Sequence, residues 1–143
     1  MSVRLMMPST IKREKVSDSL LRWFNEDGYD YVVDSFLFVR LVEIELLLED
    51  KATEVNNKLW DITKKYNEEA VEINSALSYV LNPIHLIFCS VPSSHLKFEK
   101  DYFRTIDRIK TDYLRETSEL RTALHQLNER ISEEYRLYRI QQH

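Results

Sequence analysis

The chain has 143 residues, of which 43% are hydrophobic and 31% charged, a balance that fits one folded domain and excludes a wholly disordered protein. Its single glycine, Gly28, excludes the glycine-rich phosphate loops and the nucleophile elbow, since each of these needs at least two glycines. The formal net charge is −4, and residues 29–82 hold eleven acidic against five basic side chains, which argues against a nucleic-acid partner for that segment.

The first predicted element is a helix over about residues 10–26, in which apolar side chains recur every three or four positions. Gly28 ends this helix, because glycine accepts the left-handed conformation found at helix C-termini. A second helix is predicted over about residues 30–81, where neither proline nor glycine occurs. From Leu48 onward it carries a heptad seam in which nine of ten core positions are apolar.

Pro83 ends the second helix, because proline disfavours helical geometry in the residue before it. An apolar connector follows over residues 82–94, and we expect it to be buried. A third helix is predicted over about residues 95–141. It carries one apolar seam up to Tyr113 and another from Leu120, displaced from the first by a four-residue stutter.

Together these elements predict an all-α fold in a single helical domain over residues 1–143. A short N-terminal helix is followed by two long antiparallel helices of similar length, which form a coiled-coil-like helical hairpin. One hairpin buries only part of each helix, so we expect association to complete it to a bundle. The alternative is that the heptad seam closes entirely within one chain.

Metal-binding and catalytic motifs are absent from the sequence. Neither H-E-x-x-H nor E-x-x-H occurs, and the spacing of His85, Cys89 and His95 matches no standard zinc pattern. A buried thiol between two histidines near helix ends explains these three residues more simply. The sequence therefore predicts no metal site, no cofactor and no enzymatic activity.

The heptad seams predict a non-enzymatic structural or adaptor subunit that acts through helix–helix, coiled-coil protein–protein association. Its partner would be a second copy of the chain, another helical subunit, or both. Trp60 follows the seam position Leu59 and becomes an interface anchor if its side chain is exposed. The predicted partner-binding residues are Leu48, Val55, Leu59, Trp60, Ile62, Tyr66, Ile73, Leu120, Leu124, Leu127, Ile131 and Tyr138.

Two other functions are compatible with the charged residues. An acidic cluster could make the chain a chaperone or binder of basic proteins such as histones, although a solvated helix face explains the cluster more simply. The cluster consists of Glu43, Glu45, Glu49, Asp50 and Glu54. Charged residues that interrupt the apolar stripes could instead form the site of a small all-helical enzyme between helices: Arg40, Glu69, Glu116 and Glu134.

The sequence also bears on location. The first eight residues are too short and too polar for a signal peptide. The most apolar window, residues 31–48, carries four charged side chains, so no transmembrane segment is predicted. A lone cysteine, Cys89, fits a reducing compartment. These features predict an intracellular protein, cytoplasmic or nuclear.

Overall fold

A computed structural model of the chain describes residues 3–26, 35–80 and 91–142. These residues contain four helices: α1 (Val16–Glu26), α2 (Ser35–Val80), α3 (Val91–Glu116) and α4 (Ser118–Gln142). No strand occurs in these ranges, so the all-α prediction is confirmed for them.

Helix α1 begins at Val16, later than the predicted start near residue 10, and residues 3–15 are not helical. The predicted connector falls largely outside the described residues, and so do His85 and Cys89. Helix α3 begins at Val91, within the predicted connector range.

Helices α3 and α4 are separated by Thr117 alone, which lies in the predicted stutter between the two seams. The backbone keeps helical hydrogen bonds across this point, from the Thr117 amide to the Tyr113 carbonyl (3.0 Å) and from the Arg121 amide to the Thr117 carbonyl (2.9 Å). The buried Thr117 hydroxyl also donates to the Tyr113 carbonyl (2.7 Å). A threonine hydroxyl that competes for a helical carbonyl in this way bends or loosens a helix locally.

The chain divides into two compact units. Unit 1 comprises residues 1–11 and 54–112, and unit 2 comprises residues 12–53 and 113–143. Helix α2 therefore contributes residues 35–53 to unit 2 and residues 54–80 to unit 1.

The core of unit 2 is formed by one face of α1, the first part of α2 and one face of α4. Tyr135 of α4 is fully buried, and its ring lies 4.6 Å from the rings of both Trp23 and Phe24, measured between centroids. Edge-to-face and tilted contacts of this kind add to the stabilisation from burial. The buried residues of this core are Leu20, Phe24, Leu37, Leu41, Ile44, Leu48, Leu124, Ile131 and Tyr135.

The core of unit 1 is formed by α2, α3 and the N-terminal segment. The Tyr66 ring stacks on Phe98 at 4.7 Å and lies 4.3 Å from the ring of Tyr102. Thr63 and Tyr102 share a buried hydrogen bond between their hydroxyls (2.9 Å). The buried residues of this core are Val3, Leu59, Tyr66, Ala70, Tyr102 and Ile106.

Within the described ranges, none of the helices combines the length and the apolar character that crossing a membrane requires.

Two isoleucines of α4 test how far burial decides stability. Ile131 is fully buried, whereas Ile140 is 61% exposed. We expect Ile131→Ala to lower the free energy of unfolding by about 2–5 kcal/mol, because it removes buried methyl groups and leaves a cavity. The matched change Ile140→Ala should alter it by no more than about 0.5 kcal/mol. Urea denaturation followed by circular dichroism measures both values, and equal effects would contradict the placement of this core.

Candidate functional site

The N-terminal segment, defined here as residues 3–11, is bound along α2 by three asparagine side chains. Each asparagine pairs with the backbone of one residue, accepting from its amide through Oδ1 and donating to its carbonyl through Nδ2. Asn74 pairs with Val3 (2.6 and 2.9 Å), Asn67 with Met6 (2.8 and 2.9 Å) and Asn56 with Ile11 (2.7 and 3.2 Å). We call these three residues the asparagine ladder.

The spacing of the ladder fits both the helix and the segment. The asparagines are 11 and 7 residues apart, which are close to three and two whole helical turns, so all three lie on one face of α2. The 18 residues from Asn56 to Asn74 rise about 27 Å along the helix. The eight steps from Val3 to Ile11 cover about 26 Å when the backbone is extended. The segment therefore runs nearly extended and antiparallel to α2.

The segment also contributes side chains to the core of unit 1. Val3 is buried there, and Met6 and Ile11 pack against the same cluster. These are the three residues whose backbone the ladder holds. On the other side, Lys110 of α3 donates a hydrogen bond to the Ser9 hydroxyl. The segment thus contacts both helices of unit 1.

An apolar groove lies between the segment and α2. Its volume is about 370 Å³, and Trp60 and Val71 of α2 line it opposite Leu5 and Met7 of the segment. All four side chains are more than half exposed, at 57%, 53%, 56% and 86% in that order. The remaining lining residues are Met6, Pro8, Thr63, Lys64, Asn67 and Glu68. We call this surface the Trp60 groove.

Helix geometry explains why Trp60 is exposed while its neighbour is not. Leu59 is fully buried in the core of unit 1. One residue further along an α-helix is rotated by about 100°, so Trp60 leaves the core face. It comes to lie beside the face that carries the ladder, and Asn67 both lines the groove and holds Met6. The ladder therefore positions the N-terminal segment, which forms the wall of the groove that α2 does not form.

The predicted partner-binding residues divide sharply by exposure. Eleven of the twelve, all within the described ranges, are buried in the two cores or packed against them, and Trp60 is the one that is exposed. For these eleven residues, packing within the chain accounts for their apolar side chains. A partner contact through those eleven residues stays a prediction, and the candidate surface is the groove around Trp60.

The acidic cluster is largely engaged in contacts within unit 2 and along α2. Glu45 is buried and accepts hydrogen bonds from the amide and the hydroxyl of Ser17, both at 2.6 Å. A carboxylate at this position satisfies an unpaired amide in the first turn of α1 and complements the helix dipole. Glu49 pairs with Arg13 at 2.9 Å. Both carboxylates therefore bind residues at and just before the start of α1.

Two of the four charged residues considered for an enzymatic site form ion pairs within their own helix. Arg40 pairs with Glu43 one turn away on α2 (3.4 Å), and Glu134 pairs with Arg130 on α4 (3.7 Å). Glu69 belongs to unit 1, whereas the other candidates belong to unit 2. Among the described residues, no group of three or more His, Cys, Asp or Glu side chains is arranged to hold a metal ion.

No protein-family model matches the chain, and neither a curated protein nor a solved structure does. The assignment of the site therefore depends on its geometry.

The heptad pattern does not predict the ladder, although the sequence carries a signal for it. Asn56, Asn67 and Asn74 share one helix face, and asparagine is a poor residue for a helix interior. Three such residues in register beside an apolar seam indicate a surface that binds polar backbone groups.

Removing one rung should release the segment. We expect Asn67→Ala to lower the free energy of unfolding by about 1–3 kcal/mol, because the partly buried amide and carbonyl of Met6 lose their partners. The Met6 amide should also exchange faster with solvent, which NMR hydrogen exchange measures. Asn57→Ala is the matched control, since Asn57 is exposed on the same helix. Unchanged protection of Met6 in Asn67→Ala would contradict the ladder.

Tyr66 makes the stability of unit 1 depend on pH in the alkaline range. Burial raises the pKa of Tyr66 to about 12, and the Glu99 carboxylate, which accepts a hydrogen bond from its hydroxyl at 3.3 Å, adds to the rise. The protonated phenol is therefore favoured more strongly in the folded state than in the unfolded state, where the pKa of Tyr66 is near 10. This contribution to stability is complete below pH 10 and is lost as the pH rises through 12.

The difference between wild type and Tyr66→Phe isolates this effect, because phenylalanine keeps the ring and does not titrate. We expect the stability of the wild type to fall more steeply than that of the variant between pH 10 and 12, in urea denaturation at a series of pH values. Curves that stay parallel over this interval would show that Tyr66 is not perturbed.

Proposed function

We propose that the chain is a non-enzymatic subunit that associates with a protein partner through the Trp60 groove. The observation that carries this proposal is the contiguity of four exposed apolar side chains drawn from two segments far apart in sequence. Single exposed apolar residues are ordinary on protein surfaces, whereas a contiguous apolar patch marks an interaction site.

The composition of the groove favours a protein partner. Tryptophan is enriched among residues that dominate binding energy, and methionine adapts its shape to an apolar surface. Lys64 and Glu68 supply charged groups at the same surface. An apolar centre with a polar rim is the usual composition of a protein–protein interface.

A helix is the partner element that this surface suits. Trp60, Lys64 and Glu68 follow one another at four-residue spacing and form a ridge along α2. Ridges of this kind pack into the grooves of a second helix. The proposed mechanism is therefore helix–helix association through a surface of α2 that lies outside the heptad seam.

The experiment replaces Trp60 with the photo-crosslinking residue p-benzoylphenylalanine in the full chain, in cells that express it. We expect a covalent adduct of discrete mass after irradiation. Phe103 is the matched control position, because it is an exposed aromatic residue of α3 in the same unit. Mass spectrometry identifies the adduct. No adduct at position 60, or the same adducts at both positions, would overturn the proposal.

A further inference from the structure

We infer that the Trp60 groove binds the Trp60 groove of a second copy of this chain, with the two α2 helices antiparallel. This inference rests on the proposed function and names its partner. The evidence is the order of side chains along the exposed face of α2: apolar Trp60, cationic Lys64, anionic Glu68 and apolar Val71.

This order is self-complementary under a two-fold rotation. When two such helices run antiparallel and the axis passes between positions 64 and 68, Lys64 faces Glu68 of the second copy, and Glu68 faces Lys64. Trp60 lies six residues from this axis and Val71 five, so Trp60 comes within about 1.5 Å along the helix of the level of Val71 of the second copy, and apolar side chains meet at both ends. Symmetric dimers require a surface patch that complements itself in this way.

The charges also select the direction of pairing. In a parallel pair at equal register, Lys64 would face Lys64 and Glu68 would face Glu68, and like charges that face each other across an interface are unfavourable. Antiparallel pairing converts both contacts into attractions. Leu5 and Met7 of the N-terminal segment lie across the groove from α2 and extend the apolar area on each copy.

The experiment measures the mass of the full chain by sedimentation velocity over a concentration series. We expect the wild type to form a dimer and Trp60→Ala to weaken dimerisation. Lys64→Glu should weaken it roughly tenfold or more, because it places like charges in contact. The double variant Lys64→Glu with Glu68→Lys restores the attraction with the signs exchanged, and it should recover most of the loss.

A control separates the interface from the helix itself. Lys64→Glu also creates a repulsive pair with Glu68 four residues away on the same helix. Lys58→Glu creates the same repulsion with Glu54, with which Lys58 now pairs at 3.7 Å. Lys58 precedes Trp60 by two residues and therefore lies on the other side of α2. Reversing the charge of Lys58 should therefore leave dimerisation unchanged. Circular dichroism checks that every variant keeps its helices.

Each outcome decides the inference. A wild type that stays monomeric at all concentrations overturns it, and so does a dimer that is insensitive to Trp60→Ala and Lys64→Glu. Failure to recover in the double variant overturns the antiparallel register. The crosslinking adduct at position 60 distinguishes the two proposals: an adduct with a different protein supports the proposed function and rejects the second copy as the partner.

Discussion

Unit 1 depends on the pairing between the asparagine ladder and the backbone of the N-terminal segment. A segment with no helix or sheet of its own can pack against a helix only if its amides and carbonyls find other partners. Asparagine carries a donor and an acceptor at the end of one short side chain, which matches the amide and carbonyl of a single residue. Each rung therefore allows one apolar side chain, that of Val3, Met6 or Ile11, to pack in or against the core without burying unpaired backbone groups.

Neither the hydrogen bonds nor the burial would hold the segment alone. Ordering the backbone costs about 1–2 kcal/mol of folding free energy per residue, whereas a hydrogen bond contributes only about 1 kcal/mol net. Each asparagine also costs the helix about half a kcal/mol relative to alanine. Burial of a large apolar side chain contributes about 1.5–3 kcal/mol. The segment is thus stable only where hydrogen bonds and burial coincide, and they coincide at the three rungs.

Periodicity in the sequence predicted that the described residues are largely helical and which of their residues turn inward, because both follow from the 3.6-residue repeat, but it predicted one helix where α3 and α4 lie. Leu59, Leu124 and Ile131 were recognised as seam positions and are fully buried. The predicted start of α1, near residue 10, is too early, since the helix begins at Val16. In isolation, residues 10–15 are compatible with a helix, and only the contacts of Ile11 with Asn56 and of Arg13 with Glu49 explain why they lie along α2 instead.

The candidate site was partly predictable for the same reason. Trp60 was identified from its position beside Leu59, since a bulky aromatic residue off the core face is visible in the heptad pattern. The opposite wall of the groove was not, because Leu5 and Met7 reach Trp60 only when the segment is bound. Glu45 lies four residues after Leu41 and three before Leu48, so the helical repeat places it on the inward face, whereas its hydrogen bonds to Ser17 follow only from the contact between α1 and α2.

Because Asn67 belongs to both the ladder and the groove, binding of the segment and formation of the groove are one event. A partner that contacts both walls binds only the state in which the segment is in place. By linkage, such a partner must stabilise that state, and the stabilisation grows with its concentration. Conversely, when the segment is released in part of the population, the apparent affinity for the partner falls in proportion to the fraction of chains in which the groove is formed. With the proposed partner, the ladder would thereby couple the stability of unit 1 to association, even where the partner touches no rung.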